Sequence, residues 1–437
     1  MLIQPPRPSL FDPFTGIVTS ISEVEMARSD PQLFVVASRT ADVAAYGFPT
    51  TAIIHGSAAG LNARAAYAAT IGECAERYAC CVVHPEDLVY GSYRDLLGRG
   101  YAPVPPEKWT LFDKSQYDRL PYVPFEDDTP IAWAQAESLT YKRERLVPAC
   151  LVYLCSPETF MKEGARLLSV AISTGAACAR SHAEALIKGI CEVVERDAYI
   201  ITWRNRLPRP HLRIDPQSAI YSLFNERFAR PGLEFNLVYT TLDLSIASFF
   251  GILRDTRCSP PRMIVGGAAH LDPCAAALKT LTELVQGLKW MDSFDGSSFP
   301  IEQGFQNVRS FEDRVLLYAS NYVPEAFSFL FEDQSEIDLS AIPSLDTGDV
   351  RANLHLCYEL LEAQGLEILA LDLTTVDLSA CGLYVTKVLI PECQPMEGDH
   401  RAQLLGGRRW REVPVRLGLC AAPTSIESVN PWPHPYP

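Results

Sequence analysis

The sequence predicts a chain of the α/β or α+β class, because short β-prone apolar runs alternate with longer stretches of helical period and proline-rich connections separate them. Apolar stretches broken by polar residues from Leu33 to Ala45 and around Thr51 to His55 read as strands. An alanine-rich helix follows, from near Asn62 to about Cys81. Between Ala102 and Pro130 the segments PVPPEKW and LPYVPFEDDTP disfavour helix before each proline, so this stretch is expected as a long surface excursion. Ile131 to Ser138 and Leu146 to Leu154 flank the charged turn Tyr141-Lys142-Arg143-Glu144 and read as a strand hairpin, despite Pro148.

A second helix is expected to start after Ser181, a candidate N-cap with Glu184 at the capping-box position. Its apolar stripe runs through Ala185, Ile187, Ile190, Val193 and Val194, and it should reach about Trp203. Beyond a proline-rich turn from Leu207 to Pro216, strand signals return at Phe235 to Thr240, Ile246 to Leu253 and Met263 to Ala268. A third helix is expected from Pro273 to Trp290, with Asp272 as N-cap and Pro273 in the first helical position. His270, just ahead of it, is read as structural more readily than as a ligand. Ser310 to Val350 suggests two helices and a loop, and Leu366 to Leu373 and Gly382 to Ile390 suggest further strands. The last eight residues, NPWPHPYP from Asn430 to Pro437, carry proline at every second position and are expected as an extended, polyproline-like tail.

With 437 residues and 48% hydrophobic composition, the chain can bury a large core and is expected to form a single catalytic unit over residues 1–437, tail included. The formal net charge of -15 argues against a duplex-binding protein, which would cluster Lys and Arg against phosphates. Thirteen cysteines without a CxxC pair read as reduced core residues, Cys80 and Cys81 among them, and the eight histidines show no metal-ligand spacing. MLIQPPRPSL lacks a secretory pattern and no apolar run reaches the roughly 18 residues of a membrane span, so a cytoplasmic protein is expected, with neither nucleic acid nor membrane as partner.

No GxxxxGK[ST] loop, GxGxxG turn, HExxH or GxSxG elbow occurs in the chain. Instead an acidic signature repeats, Glu73-x-x-Glu76-Arg77 in IGECAERYA and Glu192-x-x-Glu195-Arg196 in ICEVVERDA, and a third helix carries the related Glu283-x-x-Gln286. Residues at i, i+3 and i+4 share a helix face, so each full copy presents two carboxylates and a guanidinium together. A lone ExxER is ordinarily a solvated face stabilised by Glu–Arg pairs. Here the other faces are Ala, Ile, Val, Cys and aromatic residues, which favours charge facing an enclosed site. Clustered carboxylates repel unless cations compensate them, and hard oxygen ligands from several helices suit Mg²⁺ bridging a triphosphate, with Arg77 and Arg196 free to pair with carboxylate or phosphate.

Three segments, GSAAGLNARAAYAATIGECAERYA, STGAACARSHAEALIKGICEVVERDA and GGAAHLDPCAAALKTLTELVQ, resemble in order and spacing the three nucleotide-binding motifs of the YcaO superfamily. DPFTGIV and the proline-rich terminus resemble its azoline-forming cyclodehydratase branch. The resemblance implies a YcaO-like fold and an ATP-dependent enzyme of ribosomal-peptide modification. Such an enzyme converts Cys, Ser or Thr of a precursor peptide into thiazoline or oxazoline by phosphorylating the backbone amide oxygen. It implies that Glu73, Glu76, Glu192 and Glu195 hold Mg²⁺ and nucleotide, with Arg77 and Arg196 beside the phosphates. Ser173, Glu184, Glu283 and Gln286 fall at other nucleotide-contacting positions, and the Pro437 carboxylate would lie near the reacting peptide as a general base.

Three positions depart from the motifs: Ala69 and Thr174 replace the usual Ser and Asn, and the usual basic residue after the third motif is Leu288. Lys289 is adjacent, although one residue turns a helical side chain by about 100°. The resemblance further implies a separate E1-like, leader-binding partner protein, a flavin (FMN) dependent azoline dehydrogenase, and a homo-oligomer within a complex. Thioamide or amidine formation, or a non-catalytic nucleotide-binding scaffold subunit, stand as alternatives.

Overall fold

Strand pairing gathers the chain into three sheets in the computed structural model, which describes residues 10–46, 55–294 and 297–436. Strands β1 (Val18–Glu23), β2 (Phe34–Thr40) and β3 (His55–Gly60) form an antiparallel sheet in that order. Residues 51–54 of the strand expected at Thr51 to His55 lie outside the described residues, and β3 begins where that expectation ended. Helix α1 (Ala63–Cys81) follows at once, because the Asn62 side chain accepts the Ala65 N–H at 2.9 Å and satisfies a donor that the first turn leaves open.

After β4 (Val89–Gly91) and α2 (Tyr93–Gly98), residues 102–130 hold only short 3₁₀ turns. The expected surface excursion is in part core: Val104, Leu111 and Phe112 are buried, and Phe112 stacks on Tyr122 with ring centroids 5.2 Å apart. Proline prevents regular structure there but not packing. The hairpin of β5 (Ile131–Ser138) and β6 (Arg143–Pro148) is present, with Trp133 opposite Pro148. Its second arm stops at Pro148, which has no N–H for a ladder, and Ala149–Leu151 is a 3₁₀ turn instead of strand.

Strand β7 (Ala176–Ala179) leads into α3 (His182–Asn205), capped as expected by Ser181, which accepts the Glu184 N–H at 3.3 Å. The proline-rich turn after α3 contains β8 (His211–Arg213), and α4 (Ala219–Arg227) follows. Then come β9 (Leu233–Tyr239), β10 (Ala247–Asp255), β11 (Arg262–His270) and α5 (Pro273–Asp292), with Asp272 capping α5 and Pro273 in its first turn. Helix α6 (Phe311–Ser320) is one of the two helices expected from Ser310 onward; the other is a 3₁₀ turn, Pro324–Phe331, and β12 (Glu336–Asp338) closes the segment. The remaining elements are α7 (Val350–Glu362), β13 (Leu369–Asp372), α8 (Val376–Ala380), β14 (Tyr384–Leu389) and α9 (Arg409–Arg416).

The second sheet runs β11-β10-β9-β8-β12 and the third β4-β5-β13-β14-β7, with β6 on β5. Helices α1, α3 and α5 each pack back on the strand that precedes them, and α5 also reaches β3. Close approach is enforced at Gly175, where φ is +83° and a Cβ would stand 2.2 Å from the Val388 carbonyl oxygen. All thirteen cysteines are free thiols and eight of them are buried, as a reduced core requires. Among the described residues no helix is long and apolar enough to cross a membrane.

Residues 430–436 are neither helix nor strand, as the prolines require, and Pro433 to Tyr436 are buried. Their carbonyls are gripped along the way: Trp203 Nε1 donates to Trp432 O at 3.0 Å and the Tyr318 hydroxyl to Pro433 O at 2.6 Å. His434 Nε2 lies 3.0 Å from the Glu397 carbonyl oxygen.

Candidate nucleotide and cation site

The three acidic helices are built on one plan. From Asn62 to Glu73, from Ser181 to Glu192 and from Asp272 to Glu283, a glutamate stands eleven residues after the N-cap. Eleven residues are close to three helical turns, so each carboxylate returns to the side of its cap and reaches the strand before the helix. Glu73 accepts the Ser57 N–H at 2.8 Å, Glu192 the Gly175 N–H at 3.1 Å and Glu283 the Gly267 N–H at 3.3 Å. One turn further on stand Glu76, Glu195 and Gln286.

Arginine holds the two full copies. Arg77 donates to Glu73 at 3.1 Å, while Arg196 lies 3.5 Å from Glu192 and 3.1 Å from Glu195, whose side chain is 2% exposed. Burial would weaken these guanidinium charges, but the surrounding carboxylates, with Tyr436 beside Arg196, outweigh it and fix both as cations. The glutamates form one charged cluster, in which Glu192 acts on Glu73 and Glu76 and Glu195 acts on Glu283, and Glu73, Glu76 and Glu192 are half-buried. Burial pushes the Glu76 carboxyl well above the usual carboxylate range and neighbouring Glu192 pushes it further, against the pull of Arg77. Glu73 is raised by burial too, less strongly, because Arg77 and the Ser57 amide oppose it. Glu283 is pushed up to about 7, by burial and then by Glu195, against Lys279 and Arg196.

The sequence-predicted residues separate by position. Gln286 donates to the Ser57 carbonyl and hydroxyl oxygens, both at 2.8 Å. Ser173 lies in the turn before β7, its carbonyl accepting the Ala176 N–H at 2.8 Å. Glu184 sits in the first turn of α3, roughly 12 Å along the helix from Glu192, at the far end of the same stripe. Lys289 does not stand in for the missing basic residue: it pairs with Asp30 at 3.1 Å and Asp292 at 2.8 Å, while Leu288 is fully buried. The 100° turn between neighbouring helical residues accounts for this. His270 is structural, its Nδ1 accepting the Asp272 N–H at 2.9 Å. Pro437 lies outside the described residues.

Three residues of the site had no sequence signal strong enough to single them out. Lys387, 1% exposed on β14, donates to the Ile172 and Thr174 carbonyls at 2.7 Å each and so clamps the Ser173 turn. Lys279 stands one turn before Glu283, 3.6 Å from it. Tyr436 places its hydroxyl 2.7 Å from Glu195 and 3.2 Å from Glu283; its only trace was the alternation of aromatic residues with proline.

Among the described residues no three His, Cys, Asp or Glu side chains already converge as a cation cage, so Glu73, Glu76, Glu192 and Glu195 do not form one as they stand. Their chemistry nevertheless fits a hard divalent cation. They offer carboxylate oxygens only, and the mutual repulsion that raises Glu76 is what Mg²⁺ would relieve. Arg77, Arg196 and Lys279 supply the positive charge that phosphates would meet.

The acidic helices thus gather carboxylates, guanidinium groups and an ammonium into one cluster, in a chain without a P-loop. The sequence profile of the family described as YcaO cyclodehydratase, ATP- and Mg²⁺-binding, matches residues 57–394, and the chain belongs to that family. Its cofactors are ATP and Mg²⁺. Among solved structures, a heterocyclase in complex with substrate and cofactor aligns over 98% of this chain and 56% of its own, with TM-score 0.78 and 24% identity. The heterocyclase TruD aligns over 84% and 50%, with TM-score 0.66 and 26% identity. YcaO from Methanopyrus kandleri, bound with AMPPCP and Mg²⁺, aligns over 86% of each chain, with TM-score 0.59 and 19% identity. The chain thus spans about half the length of the two heterocyclases it resembles.

Proposed function

We propose that this chain is an ATP-dependent cyclodehydratase of a ribosomally made precursor peptide, and that all of residues 1–437 act as one catalytic unit. The observation that carries the reading is the threefold repeat of a strand-clamped glutamate on three helices, in a chain of this family. In the reaction a Cys, Ser or Thr side chain gives up its proton and adds to the preceding carbonyl carbon, which closes the ring, and the resulting oxyanion takes the γ-phosphoryl group of ATP, releasing ADP. Phosphate then leaves the carbon as the nitrogen loses its proton, and the C=N bond completes the azoline.

Each part of the cluster has a task in that scheme. Glu73, Glu76, Glu192 and Glu195 would hold Mg²⁺, which supplies neutralisation of the triphosphate charge. Arg77, Arg196 and Lys279 hold phosphate oxygens, and Gln286 fixes α5 against β3 so that the first and third glutamates keep their spacing. Lys387 shapes the Ser173 turn from below. Pro437 would serve as a general base through its carboxylate, taking a proton from the attacking group or the amide nitrogen.

The heterocyclase neighbours are about twice as long, and solved assemblies of similar fold include a microcin synthetase with its pro-peptide bound. We propose further that an E1-like partner captures the leader, that a flavin dehydrogenase oxidises the azolines, and that the working state is an oligomeric complex. The test mixes the chain, that partner, precursor, ATP and Mg²⁺, and follows phosphate release together with precursor mass. One phosphate and one lost water per ring, with little reaction when the partner is withheld, is the expected result. Nucleotide binding without precursor-dependent phosphate release would make the chain a scaffold subunit instead.

A further inference from the structure

Glu195 and Glu283 come from different helices, α3 and α5, which both pack on β11. A single hydroxyl lies between the two carboxylates. Tyr436 approaches Glu195 at 2.7 Å, the Gly267 carbonyl at 3.1 Å and Glu283 at 3.2 Å, a neutral donor placed among three acceptors. Its ring carries the Arg196 guanidinium at 3.8 Å from the centroid, so the same side chain supports the cation that pairs with Glu192 and Glu195. The ring lies against Gly267, where a Cβ would stand in ordinary contact with it at 3.4 Å and meet the Phe249 carbonyl oxygen at 2.9 Å. The tail delivers Tyr436 at fixed reach, since the Trp432 and Pro433 carbonyls are held and alternate prolines limit slack.

We propose that Tyr436 is a positioning residue that couples seating of the tail to binding of Mg²⁺ and nucleotide. The inference rests on the reading above that these glutamates hold both. With the hydroxyl in place, Glu195, Glu283 and Arg196 are presented as one set; without it, the two helices present them separately and the cation loses its stacking support if the ring withdraws. Coupling of this kind is reciprocal, so nucleotide must also hold the tail.

The test uses the full chain and Mg²⁺ with AMPPCP. Tyr436→Phe keeps the ring and removes the hydroxyl, and calorimetry should show affinity reduced on the order of 10-fold. Hydrogen exchange at the Trp432, His434 and Tyr436 amides should slow on adding Mg²⁺ and AMPPCP to the wild type, and much less in the variant, where residue 436 is Phe. A merely structural hydroxyl would not give that nucleotide-dependent difference. Trp432→Leu, which loosens the tail away from the glutamates, should weaken binding as well, and the two changes together should cost less than the sum of each alone. If the wild type binds and Tyr436→Phe matches it in affinity and protection, the coupling is wrong. If the wild type binds no Mg²⁺ and AMPPCP, the functional reading itself fails and the coupling falls with it.

Discussion

Gln286 donates to both the carbonyl and the hydroxyl oxygen of Ser57, at 2.8 Å each, and so pins α5 to the free edge of β3. The Ser57 N–H is already given to Glu73 at 2.8 Å, which makes one strand residue the joint between the first and third acidic helices. A glutamine, not a third glutamate, is what that joint requires, because a carboxylate cannot donate to a carbonyl.

Gln286→Ala should therefore lower stability by about 1–3 kcal/mol through the lost donors and also weaken nucleotide binding. Gln286→Glu should be worse than alanine, since it adds charge near Glu73 and returns no donor. Chemical denaturation and calorimetry on the two variants check the order. An equal or smaller effect for Gln286→Glu would mean that the amide is not acting as a donor.

Glu76→Gln and Glu195→Gln keep size and shape but remove a charged oxygen. Mg²⁺-dependent ATP turnover should fall roughly 100-fold or more in each, about 2.7 kcal/mol of transition-state stabilisation. The Glu76 change should leave the fold intact, because it relieves repulsion from Glu192. Near-normal turnover in both variants would remove these residues from the proposed cation site.

A few residues appended after Pro437 should stop ring formation while Mg²⁺ and nucleotide still bind, because the extension displaces the terminal carboxylate and keeps every native side chain. Deleting residues 435–437 is a blunter change: it also removes Tyr436 and should weaken nucleotide binding. Precursor mass spectrometry counts the rings. Full cyclisation by the extended protein would reject a catalytic terminus.

Acid should loosen the tail before it unfolds the rest. Burial, with Arg314 beside it, pushes His400 down to about 4, and His434 is driven down in the same way. A depressed histidine contributes stability that is present above its unfolded value near 6.5 and is lost as pH falls from there toward 4. The loss from His400 is at most roughly 3 kcal/mol. Denaturant midpoints at pH 7.5 and pH 5 should differ less in His400→Gln than in the wild type; an unchanged difference would show that His400 does not drive the acid sensitivity.

Local pattern was sufficient for the parts of this protein that local physics governs. The N-caps Ser181 and Asp272 and the three helices that carry ExxE or ExxQ follow from capping and helical period, both short-range effects. So does the non-helical course of the tail, since proline acts on its own backbone and the residue before it. What the tertiary structure alone decided concerns contacts between distant segments. Only packing showed that Leu111 and Phe112 are core within a proline-rich stretch, and that Lys289 turns to Asp30. The buried Lys387 behind Ser173, and the place of Tyr436 between Glu195 and Glu283, depend on partners 215 and 241 residues away in sequence. Periodicity reports which face of a helix is apolar; it carries no record of which remote side chain completes a charged one.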